Sequence, residues 1–213
     1  MVSKNRTDAI NSYVTDMLSL ERHIDKALKS QIQDHKDHAE VVRELQQIQT
    51  LVQNHINALE DLADERGAKG AASAVKEIGS AVLGFAAGAI DFVRNEGLPK
   101  NLRDDFTAAS LAHIGYEMLH TTALALDDRP VADLALRHLR DYARVIMILH
   151  GLIPVAVVRF LRDEGLPARE DVVPEVARNV ESAWSEWSVT AAGTDRGTMG
   201  GAGSLGGGRG TAL

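Results

Sequence analysis

Between Thr7 and about Gln33 the apolar residues Ile10, Val14, Met17, Ile24 and Leu28 recur at intervals of three, four or their sums. Only a helix places such residues on one face, so the segment predicts an amphipathic α-helix of seven turns or so. Residues 37–66 repeat the pattern with Val41, Leu45, Ile48, Val52, Leu59 and Leu62, and Gly67 supplies a stop. The intervening QDHKDHAE is short and polar, so the two helices are expected to form an antiparallel hairpin. Its His35, Asp37 and His38 read as a solvated turn.

Further stripes follow. An Ala- and Gly-rich segment over about 69–95 carries Gly84 and Gly88 four residues apart, which predicts a helix lying close against a neighbour. A fourth helix is expected from about Lys100 to Leu126. A fifth opens at Pro130, where a missing N–H costs nothing, and is expected to kink or break near Gly151 and Pro154. A short helix over 172–188 carries Trp184 and Trp187. Nine of the 18 glycines then fall between 193 and 213, a composition too poor in apolar surface to offset its ordering entropy. The organisation read from this is a helical bundle over 5–167, a helical arm over 168–190 and a Gly-rich tail over 191–213.

Composition excludes whole classes of chemistry. Aromatic residues are only 4% of the chain, which favours helix packing over a β-rich core, and there is no cysteine for disulfides, thiolate metal sites or nucleophilic thiols. A net charge of −7 with no Lys/Arg cluster argues against nucleic acid as a main partner. The N-terminus lacks the apolar core of a signal peptide, and the longest weakly polar stretch, residues 78–90, is short of a bilayer span. The expectation is a cytoplasmic protein without membrane contact. The octapeptides FVRNEGLP (92–99) and FLRDEGLP (160–167) share six of eight residues. Each reads as a helix stop: Gly takes a left-handed conformation, Leu98 or Leu166 folds back on Val93 or Leu161, and Pro prevents resumption.

Chemistry must then come from polar groups set into the apolar stripes. Glu21 lies between Met17 and Ile24, and His55 between Val52 and Leu59. His113, Glu117 and His120 are read in phase with Phe106, Ala109 and Leu124, and His138 and Asp141 with Leu134 and Val145. A carboxylate inside a core is costly unless paired or bound to a metal. One account is a metal centre of the carboxylate-bridged kind, which takes a Glu from each of two helices and Glu-x-x-His from two others. Glu117-Met-Leu-His120 is such a Glu-x-x-His, and it occurs once. The other account is structural: Glu21 joins a buried polar network, and His55 and His138 are satisfied core histidines.

The segments YVTDMLSLERHIDKAL (13–28), HINALEDL (55–62), LAHIGYEMLHTTALAL (111–126) and DDRPVADLALRHLRDYARVI (127–146) resemble the ferritin-like proteins of the YciE/YciF type. The resemblance implies an all-α, ferritin-like antiparallel four-helix bundle, here with the additional Ala/Gly-rich helix and a C-terminal arm. It also implies a homodimer, a stress-associated role and a di-metal centre, and the function expected with it is binding of iron or manganese by carboxylates and histidines, with ferroxidase-type activity. Glu21 matches the first-helix carboxylate, Glu117 the carboxylate after Tyr116, and Asp141 stands near one on the last bundle helix. With His55 and His120 these form the expected metal set. In the tail, Gly203-Ser204-Leu205, followed by Arg209, is similar to the targeting peptides of encapsulin cargo proteins, which implies docking to an encapsulin shell. A non-catalytic bundle acting by dimerisation or partner binding is the alternative.

Overall fold

The structure, a computed structural model, describes residues 5–66 and 97–193, the last eight by backbone alone. The helix expected at about 69–95 and the tail with Gly203, Ser204 and Leu205 lie outside the described residues. Among the described residues the chain is helical, with no strand. Helix α1 spans Arg6–Asp34, α2 Ala39–Glu65, α3 Gly97–Ala125, α4 Arg129–Asp163 and α5 Val173–Gly193, with a short 3-10 turn at Glu170–Val172.

Local chemistry sets the ends of these helices. The Asn5 side chain accepts the N–H of Asp8 at 2.8 Å and caps α1. Asp128 caps α4 by accepting the N–H of Val131, with Pro130 in the first turn. The second octapeptide is the stop it was read as. Gly165 has φ +78, its N–H reaches the Arg162 carbonyl, and the Leu166 N–H reaches the Leu161 carbonyl. That pair of bonds is a Schellman motif, and it requires the left-handed glycine. Leu166 itself is 52% exposed, so the backbone bonds close the helix without a buried leucine.

In the first octapeptide Gly97 and Pro99 open α3, Leu98 enters the core, and the segment that Gly97 would terminate lies outside the described residues. Gly97 has φ +42, and a Cβ there would sit 3.1 Å from the ring of Phe160, the first residue of the second octapeptide. The two copies thus meet in space. Helix α4 runs through Pro154 without the expected break. Its packing along the core outweighs the one backbone hydrogen bond that proline removes.

The chain divides into two units between Val173 and Pro174. In the first, α1 packs on α2 and α3, and α4 packs on α3 and α2. Cross-links fix their directions. Arg22 pairs with Glu60, and Arg66 reaches Asn11, so α1 and α2 are antiparallel. Gln31 bonds Asp105 and Glu21 bonds Tyr116, so α1 and α3 are antiparallel. Arg66 pairs with Asp128 at 2.8 Å and His38 meets Arg159, so α2 and α4 are antiparallel. It follows that α2 and α3 run in the same direction. The core between the four helices holds Ile10, Leu18, Leu45, Val52, Leu102, Leu119, Val131 and Leu149, among others. Helix α4 is also long and apolar enough to cross a bilayer by length and composition, which corrects the reading that no stretch longer than 78–90 qualifies. The ion pair Arg162–Glu170 ties the 3-10 turn to α4. The second unit's described part is the amphipathic α5, on which Trp184 is half exposed.

Candidate metal centre

Glu21 has no exposed surface, an unusual place for an acid. Its position on the Met17–Ile24 stripe of α1 drives it into the core. Donors from the other three helices meet it there. The Tyr116 hydroxyl on α3 donates to Oε1 at 2.6 Å, and the Tyr142 hydroxyl on α4 donates to Oε2 at 2.6 Å. His55 Nδ1 on α2 lies 3.0 Å from Oε1, and its Nε2 lies 3.3 Å from Asp141 Oδ2 on α4. Carboxylate oxygens therefore stand at both imidazole nitrogens, and both contacts are hydrogen bonds only where both nitrogens carry protons. The bonds at 2.6 Å have the length of charge-assisted O–H···O⁻ pairs.

His138 on α4 completes the cluster. Its ring stacks on that of His55 with centroids 3.8 Å apart and planes 17° apart, and Tyr116 meets it edge-on at 4.9 Å. His138 Nδ1 is buried and has no hydrogen-bond partner among the described residues. Burial, with His55 and Arg137 nearby, pushes its pKa down to about 3, so the ring is neutral and keeps a nitrogen lone pair. Burial first, and the Glu21 charge second, push the phenols of Tyr116 and Tyr142 well above their ordinary value, so both stay donors.

Glu21, His55 and His138 each offer a ligand atom, and these atoms lie within 4.8 Å of one another, an arrangement that can hold a metal ion. Two imidazole nitrogens with one carboxylate oxygen are a donor set that transition metals accept. The unpartnered Nδ1 of His138 is the observation that fits a ligand, because buried polar atoms otherwise find partners. The His55 and His138 rings are stacked, so holding one ion through both would require one imidazole to turn out of the stack.

Of the residues expected from sequence, Glu21, His55 and Asp141 come together. Asp141 sits at the rim, 27% exposed, and touches His55 without entering the interior cluster. Glu117 and His120 are not part of it. Glu117 is exposed and lines an outer pocket of about 310 Å³ with Tyr13, Ile114, Met118, Thr121 and Thr122. The His120 Nδ1–H donates to the Ala132 carbonyl at 2.8 Å. The reason is helix phase. The buried stripe of α3 is Leu102, Ala109, Ala112, Tyr116, Leu119 and Ala123, roughly 100° from the Phe106–His113–Glu117–His120 line. His113 is partly exposed on that second line. Gly115 lets α3 approach α1 so closely that a Cβ would lie 2.6 Å from Met17 Sδ. At the first turn, His35 is taken by Asn101 and His38 meets Arg159, in keeping with an ordinary polar turn.

Sequence reasoning passed over both tyrosines and, having set His138 among the inward polar groups, left it out of the expected metal set. The signal for Tyr142 was present, four residues after His138 and three before Val145 on the same stripe. Comparison with protein-family models, with curated proteins and with solved structures finds no match.

Proposed function

We propose that this protein is a ferritin-like helical bundle that holds one iron or manganese ion through Glu21, His55 and His138, with Asp141 orienting His55 from outside. The observation carrying this reading is the buried His138, whose Nδ1 has no partner among the described residues and one of whose ring nitrogens lies within 4.8 Å of a ligand atom of His55 and of Glu21. The direction of the helices supports the fold assignment. Parallel second and third helices require a connection the length of the bundle, and one long crossover is the ferritin-like connectivity. Mixed nitrogen and oxygen donors suit iron and manganese, and a carboxylate on the far nitrogen of a metal-binding imidazole is a recurrent orienting device. The bound metal would supply one-electron redox chemistry of the ferroxidase type.

The protein's own residues supply the rest. Tyr116 and Tyr142 hold the Glu21 carboxylate in place and leave it one negative charge to offer. Leu18, Val52 and Leu119 belong to the apolar core that keeps water away. Such a protein would serve stress defence as a homodimer, and Gly203-Ser204-Leu205 would address it to an encapsulin shell.

A second reading has its own observation. Both Glu21 oxygens already receive donors, so the carboxylate is held in a hydrogen-bonded network that can fasten a non-catalytic bundle acting through dimerisation or partner binding. Metal content after anaerobic loading with Fe(II) or Mn(II) and desalting separates the two. One equivalent in the wild type and in Glu117→Ala, lost in Glu21→Ala and His138→Ala, supports the metal centre. Equal content in all four chains overturns it.

A further inference from the structure

At the end of the bundle away from Asp128, α1 and α3 are joined by a pair that takes no part in the metal centre. Gln31 Nε2 donates to Asp105 Oδ1 at 2.8 Å. The Oε1 of that same amide and the Oδ2 of that same carboxyl are closed to solvent and have no hydrogen-bond partner among the described residues. Both orphans are acceptors, so the pair lacks one donor. A proton on Oδ2 supplies it: O–H donates to Oε1 while N–H donates to Oδ1, and a ring of two hydrogen bonds closes. An ionised Asp105 would leave both oxygens unpaired beside a buried negative charge. We propose that Asp105 is a neutral carboxylic acid in the folded protein, and that its ring with Gln31 is a proton-operated latch between α1 and α3.

Among the described residues the surrounding groups do not supply a counter-charge. On α3, Asp104 adds like charge and is itself held by Arg103. Beyond the end of α1, His35 bonds Asn101 after Asp34, and at the start of α2 His38 meets Arg159 of α4. His150 of α4 lies against the ring of Phe106. Burial pushes the Asp105 carboxyl up to about 7; Asp104 adds to the rise and the Gln31 bond opposes it. The native state therefore keeps a proton that the unfolded chain releases near pH 4. The latch is at full strength below that pH and is lost as pH rises through about 7.

The test compares the full-length wild type with D105N, whose amide can form the same two-bond ring without titrating. The wild-type unfolding constant, taken relative to that of D105N, should rise roughly a hundredfold between pH 5 and pH 8. D105N should be the more stable chain at pH 8. A ratio that does not change with pH overturns the proposal. Carbon-13 NMR of aspartate carboxyls in the wild type gives an answer even where D105N does not fold. One carboxyl carbon titrating near pH 7 supports the latch, and none titrating above pH 6 refutes it.

Discussion

Replacing Tyr142 with Phe removes one oxygen and leaves the ring in place. In the wild type that hydroxyl is, among the described residues, the sole donor to Glu21 Oε2. A hydrogen bond to a charged group contributes about 1.5–3 kcal/mol, and orphaning a buried charged oxygen adds its desolvation cost. The loss should therefore be about 3 kcal/mol. Tyr116→Phe is milder, about 1.5–2 kcal/mol, because Oε1 keeps His55 Nδ1 at 3.0 Å. At roughly 2–4 °C per kcal/mol for a chain of this size, Tyr142→Phe should lower Tm by about 6–12 °C and Tyr116→Phe by about 3–8 °C. The double variant should depart from the sum, since both hydroxyls serve one carboxylate. Thermal unfolding of the full chain at pH 7, followed by circular dichroism, measures all three. A Tyr142→Phe Tm within 1 °C of wild type, or a larger loss in Tyr116→Phe, would refute the assignment of Glu21 as a carboxylate held by these donors.

Other expectations follow from the same geometry. Because both buried phenols have raised pKa values, the unfolded chain loses protons that the native one keeps as pH passes about 10, and stability falls from there. Alkaline absorbance titration should show these two tyrosines ionising together with loss of ellipticity, and their ionisation in the still-folded protein would contradict the burial. Gly165→Ala places a Cβ on a residue at φ +78 and should cost about 1 kcal/mol, read by urea denaturation. Nothing lies near that Cβ, so a loss well beyond 2 kcal/mol would point to something other than backbone conformation. Glu117→Ala, on the outer surface, should change stability by less than about 0.5 kcal/mol.

How much was readable in advance differs from helix to helix. Helices α1 and α2 have one apolar face each, so their bounds and the inward turn of Glu21 and His55 follow from spacing alone. The second half of helix α3 carries apolar residues on more than one face. Leu111, Ile114 and Met118 are exposed while small alanines and Tyr116 face the core. Period alone cannot choose between two stripes of similar hydrophobicity, and the choice of the wrong one put Glu117 and His120 inside. The Ala stripe was the better guide, because small residues mark where helices approach closely, as Gly115 does against Met17. Pairings such as Gln31 with Asp105 join residues far apart in sequence and have no local signature.

Glu21 takes one partner from each of the other long helices: His55 from α2, Tyr116 from α3 and Tyr142 from α4. A hairpin of α1 and α2 offers it one donor, and a three-helix assembly two, while desolvation grows at each step. Half-built states are thus penalised, and a slip of any helix by one turn, about 5.4 Å, strips the acid of a partner. A single carboxylate in this position acts as a proofreader of assembly, making the folding transition more nearly all-or-none than an aliphatic side chain there would.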